Sequence, residues 1–341
     1  MEIIIGTIIG VFSVCIALWQ VSVSKSRLRL EQKKMKIEMK ELQRLAQSSK
    51  VIITQQFIIP KIYLSKLKSA PDWLGPQSMD YSFESGRGNS CILFLSGLGL
   101  DNRDFERHLQ SFEEYDCLSI TVYGFQPAGN SYWQFSINDH INLLCFATKE
   151  LIKGKSYKSI TLVGFSIGAD LVLKIAALNQ LPIKISRVIA LDPNVNEKTL
   201  FITKRIATIG KGKSPIDVAK EISNHAAALP LDGWVDIHRY LVEIFSKFGL
   251  GRLDFLQNFA EQVVEQYRGE SMDYFTALVK SCAKNVEECR LIFSDTPVHV
   301  SICNEIEPRL GKNCSCRVAE GKGHFDLLKN LSVSKNEIDL A

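Results

Sequence analysis

The sequence predicts an α/β protein: a mostly parallel central sheet flanked by helices, carrying a helical cap insertion and preceded by a transmembrane helix and a helical stalk. Three observations predict it. Short apolar runs alternate with helical patterns through the middle of the chain, a serine stands between two glycines where one such run meets a helix, and the first residues are uncharged over a bilayer-spanning length.

The N-terminal segment Ile3–Val23 reads IIIGTIIGVFSVCIALWQVSV, without a charged residue. About 20 apolar residues suffice to cross a hydrocarbon core of roughly 30 Å as a helix. A signal peptide would want a basic start and a small-residue cleavage site, and Met1-Glu2-Ile3 offers neither. Residues 1–24 are therefore expected to be a membrane anchor, in contact with the bilayer through residues 3–23. Residues 25–50 follow as a basic helical stalk, in which Lys25, Arg27, Arg29, Lys33, Lys34, Lys36, Lys40, Arg44 and Lys50 face only Glu31, Glu38 and Glu41. By the positive-inside rule this makes a single-pass protein with the rest of the chain on the cytoplasmic side. Leu28, Met35 and Leu42 recur at heptad spacing, a short seam that could join copies of the chain or lie on anionic lipid. The whole protein carries a net charge of +4, so the remainder is close to neutral and gives no sign of a nucleic-acid surface. Nine cysteines, an odd number with several inside apolar runs, fit reduced thiols in a cytosol-facing domain.

Beyond the stalk, Cys91–Leu95 is a continuous apolar run of strand length, Ser159–Val163 is an apolar run, and Cys117–Tyr123 and Arg187–Leu191 read as further strands. Helical patterns over about Ile137–Lys153 and Ala169–Leu178 lie between them, the spacing of parallel βαβ units. In such sheets ligands sit outside the carboxyl ends of the strands, where Ser96, Tyr123, Ser166 and Asp192 fall. A further apolar run, Val298–Cys303, reads as a strand, as does Cys316–Glu320.

The junction after Ser159–Val163 is LVGFSIGAD, in which Gly164 and Gly168 bracket Ser166. A strand that must turn sharply into a helix needs residues without a Cβ on either side of the exposed serine. On this motif and its strand–turn–helix setting the sequence resembles the α/β-hydrolase family of serine esterases and lipases, over roughly Tyr81–Leu328. The resemblance makes Ser166 the nucleophile. It makes Ser96-Gly97-Leu98-Gly99 the loop whose Leu98 amide joins that of Ile167 in an oxyanion hole, although Ser96 stands where the family often has histidine. It makes Gly321-Lys322-Gly323-His324 the loop that carries the histidine base, His324. For the acid, Asn304-Glu305-Ile306-Glu307-Pro308 resembles the family's segment after a late strand and points to Glu307. Asp192 is the alternative, because some lipases of the family take their acid from an L-D-P turn of that kind. Glu305 and Asp295 are lesser candidates.

The resemblance implies a core in two parts, 51–195 and 290–341, with a helical cap at 196–289. It implies a membrane-anchored serine hydrolase that cleaves carboxylic esters, lipid or acylglycerol among them, through an acyl-enzyme, without metal or cofactor. A thioesterase or small-ester hydrolase is one alternative. A catalytically inactive hydrolase fold serving as a binding or signalling module at the membrane is the other.

Overall fold

The computed structural model describes residues 52–126, 132–208, 240–244, 247–248 and 253–329. The expected anchor at 1–24 and stalk at 25–50 lie outside the described residues, as does much of the expected cap. No helix among the described residues is long and apolar enough to cross a membrane.

Eight strands form one sheet: β1 Gln55–Ile59, β2 Gln77–Glu84, β3 Ser90–Leu95, β4 Asp116–Ile120, β5 Ser159–Phe165, β6 Ile185–Leu191, β7 Glu288–Ser294 and β8 Cys314–Ala319. Their order is β1-β2-β4-β3-β5-β6-β7-β8. β2 pairs antiparallel with β1 and with β4, and every later pairing is parallel. β3, β4 and β5 are buried almost throughout, which is why they read as unbroken apolar runs: helices cover both faces of a parallel sheet, so no face needs polar residues.

The described helices of six residues or more are α1 Ile137–Leu151, α2 Ile167–Leu178, α3 Phe201–Thr208, α4 Leu253–Gln266, α5 Asp273–Ala283, α6 Pro297–Ile306 and α7 His324–Lys329. Chain order reverses around β3, which lies between β4 and β5. That reversal opens a crevice at the carboxyl ends of these strands.

Two corrections concern the C-terminal third. Val298–Cys303 is helix, not strand: it lies inside α6, where Thr296 accepts a hydrogen bond from the His299 amide at 3.2 Å and Pro297 fills the first turn. The valines that suggest a strand, Val298 and Val300, face outward, while Ile302, Cys303 and Ile306 are buried at helical spacing. The strand itself lies earlier, at β7, where the charges of Glu288 and Arg290 disguise it; Glu288 pairs with Arg290 along the strand and with Arg187 of β6 across the sheet.

Gly164 and Gly168 are required by close passage. A Cβ on Gly164 would overlap the Gly168 carbonyl oxygen, and one on Gly168 would overlap the carbonyl oxygens of Leu95 and Ser96 at the end of β3. Gly154, unlike these two glycines, has positive φ, at 81°, but nothing lies within 4 Å of a Cβ there. Gly168→Ala is therefore expected to cost about 3 kcal/mol or more, since backbone atoms cannot give way. Gly154→Ala should cost only the left-handed penalty of about 1 kcal/mol. Urea midpoints at unchanged slope measure both.

Candidate active site

Ser166 joins β5 to α2 with φ 54° and ψ −122°, a conformation that non-glycine residues avoid and that a surrounding structure must enforce. The enforcement is visible. The Ser166 amide donates to Leu191 O at the end of β6 at 2.8 Å, and the two glycines allow α2 to start against β3. Strain of this kind puts the hydroxyl at the N-terminus of a helix, where the backbone dipole favours a developing anion.

The residue after Leu191 is Asp192, itself left-handed at φ 51°. Its turn is fastened from α2: Asp170 accepts from the Asn194 amide at 2.9 Å and from Asn194 Nδ2 at 2.6 Å. The Asp192 carboxylate is buried and fully engaged. Ser294, the last residue of β7, donates its amide to Oδ1 at 2.7 Å and its hydroxyl to Oδ2 at 2.8 Å, and His324 donates Nδ1–H to Oδ2 at 2.5 Å. Burial would raise this carboxyl, but the hydrogen bond and charge of His324, the charge of His299 and the Ser294 amide outweigh it and hold it below the ordinary aspartate value.

His324 heads α7, and its approach is fixed by Asp295. The Asp295 amide donates to Lys322 O at 2.7 Å, and its carboxylate accepts from the Gly321 amide at 2.8 Å. The ring lies over Phe165, centroids 4.6 Å apart, one residue from Ser166. With Nδ1 committed to Asp192, Nε2 is left as the basic atom. Among the described residues no hydrogen bond joins Ser166 and His324; the link between their segments is the His324 ring on Phe165, the residue before Ser166.

The Leu98 and Ile167 amides lie on the two segments that Gly168 brings together. Among the described residues neither donates to any acceptor, although Leu98 and Ile167 are both buried. Buried N–H groups are nearly always paired, so two unpaired ones on these adjoining segments are unusual. The Ser96 hydroxyl is also buried and lacks a partner.

The carboxylate that meets His324 is thus Asp192. Glu307 is corrected: it opens an exposed one-turn helix, Glu307–Arg309, after α6, because β7 ends at Ser294 and not in the segment before Asn304. Two residues at the site carried no sequence signal. Ser294 was hidden with its strand, and His299, whose Nδ1 donates to Ser294 O at 3.1 Å and stands 3.4 Å from Asp192 Oδ1, was hidden by reading α6 as a strand. No cluster of three or more His, Cys, Asp or Glu side chains among the described residues is arranged to hold a metal ion.

Strand order, the antiparallel β2 and the turn at Ser166 define the α/β-hydrolase fold. Solved structures agree. AqDC, whose structures concern recognition and ring-cleavage of the Pseudomonas quinolone signal, is 18% identical with a TM-score of 0.58, over 77% of this chain and 96% of that one. An acetylester hydrolase from Corynebacterium glutamicum is 14% identical at TM-score 0.58, covering 85% of this chain and 95% of its own. A lipase-esterase related protein from Clostridium acetobutylicum is 18% identical at TM-score 0.52, covering 77% and 98%. Comparison of the sequence with family models and with curated proteins found no match. At these identities the structural likeness establishes the fold.

The lowered Asp192 carboxyl has a thermodynamic consequence. A group whose folded value is depressed stabilises the native state above its unfolded value, near 3.9 for aspartate, and loses that contribution as pH falls through the folded value. Asp192→Asn should remove this loss, so its unfolding free energy should fall less steeply than that of the wild type below about pH 4, read by urea titrations across pH.

Proposed function

We propose that the protein is a serine hydrolase that cleaves carboxylic esters through an acyl-enzyme. The observation that carries the reading is the 2.5 Å bond from His324 to the buried Asp192, set beside a serine in a strained turn. His324 Nε2 takes the proton of Ser166 as Oγ attacks the ester carbonyl carbon. The oxygen that becomes negative is received by the Leu98 and Ile167 amides, an arrangement in which one donor is typically worth about a hundredfold or more in rate. Asp192 remains ionised, keeps the imidazole in the Nδ1–H form and balances its positive charge. Collapse expels the alcohol, to which His324 returns the proton, and water repeats the sequence on the acyl-enzyme.

Ester cleavage is favoured over other chemistry by the free amide pair, which suits a tetrahedral oxyanion. The structural neighbours include AqDC, described for ring-cleavage, as well as an acetylester hydrolase, so fold alone does not choose between the two chemistries. The reading extends to a single-pass membrane protein with its hydrolase domain in the cytoplasm and lipid or acylglycerol esters as substrates. Its support is the uncharged Ile3–Val23 segment followed by the basic stretch 25–50.

A fluorophosphonate probe should label the wild type rapidly and Ser166→Ala not at all, with an acyl adduct on the peptide bearing Ser166 when an ester is supplied. A folded wild type that takes no label would sink the reading. The acid is tested separately: Asp192→Asn should lower ester turnover by about 10⁴ through the wrong histidine tautomer, with Glu307→Gln within about twofold of wild type. Equal losses in the two variants would remove Asp192 from the mechanism.

A further inference from the structure

The Leu98 amide sits in a four-residue turn, Gly97–Leu100, closed by the Leu100 amide on Gly97 O at 3.1 Å. Gly99, its third residue, has φ 68°, the signature of a type II turn. Types I and II differ by a flip of the central peptide, here Leu98–Gly99, so the direction of the Leu98 carbonyl decides which form the turn takes.

That carbonyl is grasped from outside the sheet. Tyr240 donates its hydroxyl to Leu98 O at 2.6 Å, and Lys247 donates Nζ to the next carbonyl, Gly99 O, at 2.9 Å. Ile244 lies between them and occupies the space that a Cβ on Gly99 would need. Residues 240–244 and 247–248 are helical. Lys247 is itself anchored: its ammonium is buried and bonds Asp101 Oδ2 at 2.6 Å, and Asp101 caps the short helix that follows the turn. The Tyr240 ring packs on Phe325, next to His324, at 5.3 Å.

We infer that Tyr240 and Lys247 are positioning residues for the oxyanion site. By fixing the two carbonyls that follow, they hold the Gly97–Leu100 turn, whose closing bond from the Leu100 amide to Gly97 O orients the Gly97–Leu98 peptide that carries the Leu98 N–H. The inference rests on the hydrolase reading, since it is the oxyanion that the turn serves. It assigns to this part of the cap segment a role in the transition state, distinct from shaping a substrate pocket.

Tyr240→Phe keeps the ring and removes only the donor. Rates are normalised by fluorophosphonate titration of Ser166, so that loss of folded protein does not count. Per active site, kcat should fall by about tenfold to a hundredfold with KM changed by less than about twofold, the pattern of an interaction made in the transition state. The inhibition constant of a trifluoromethyl ketone, whose hemiketal oxygen occupies the oxyanion position, should weaken by the same factor as kcat/KM. Lys247→Met should act in the same direction, and Lys247→Arg should restore most of that loss. A role confined to stability would lower the melting temperature and the titratable fraction while leaving the per-site rate and the inhibitor constant at wild-type values, and that result overturns the inference. A labelled, active wild type with an unchanged Tyr240→Phe overturns this inference alone, whereas an unlabelled wild type overturns it together with the hydrolase reading.

Discussion

The Asp192 carboxylate is the point on which the carboxyl edge of the sheet depends. An unpaired charge at that depth would cost several kcal/mol. Its two oxygens are instead satisfied by the amide and hydroxyl of Ser294 and by His324, so the ends of β6 and β7 and the loop before α7 are drawn to one place. Asp170 completes the arrangement from the first turn of α2, by fastening Asn194. The strained backbone at Ser166 and at Asp192 is held at the same edge by two further bonds, the Ser166 amide to Leu191 O and the Asp192 amide to Ile292 O at 2.7 Å. Position and charge are therefore set together: the geometry that holds the carboxylate low also aims the imidazole.

A second group of carboxylates lies beside the Gly97–Leu100 turn and is tuned in both directions. Burial acts against the charge on Asp101, but Arg103 and Lys247 overcome it and bring the group down to about 2. Asp104, three residues later, is pushed up to about 7 by burial and by the Asp101 charge. For Asp104 the native state prefers the proton, so its ionisation weakens the fold as pH rises from the ordinary carboxylate range through about 7. The buried Lys247–Asp101 pair illustrates why such charges persist: removal of one partner leaves the other stranded, which is far worse than the pair itself.

The core strands β3, β4, β5 and β6 were legible because burial on both faces leaves unbroken apolar runs, and the turn at Ser166 because only glycine fits at 164 and 168. The loop of His324 was legible from its glycines and place. β1 and β2 were not singled out, since their faces are partly exposed and mix polar with apolar residues. The C-terminal third misled for a sharper reason. Valines at 298 and 300 mimic strand alternation on the outside of a helix, while a true strand carries Glu288 and Arg290 because Arg187 lies beside them. Taking that helix for a strand is what points to Glu307 and away from Asp192, the carboxylate that meets His324. The contacts of Tyr240 and Lys247 join residues far apart in sequence, and no local pattern announces them.

β6 and β7 are neighbours in the sheet, yet the chain between them runs from Asp192 to Glu287. Loop-closure entropy grows only with the logarithm of length, so stretching a ten-residue connection to this roughly hundred-residue excursion costs about 2 kcal/mol. The ends are already fastened by strand pairing and by Ser294 on Asp192. Closure entropy therefore sets little limit on the length of the excursion, and what ties its described parts to the scaffold is packing and bonding: Phe275 and Val279 of α5 are wholly buried, Tyr240 donates to Leu98 and Lys247 pairs with Asp101. Variation in this chain's lineage should accordingly be broad in length between these attachments and narrow at them.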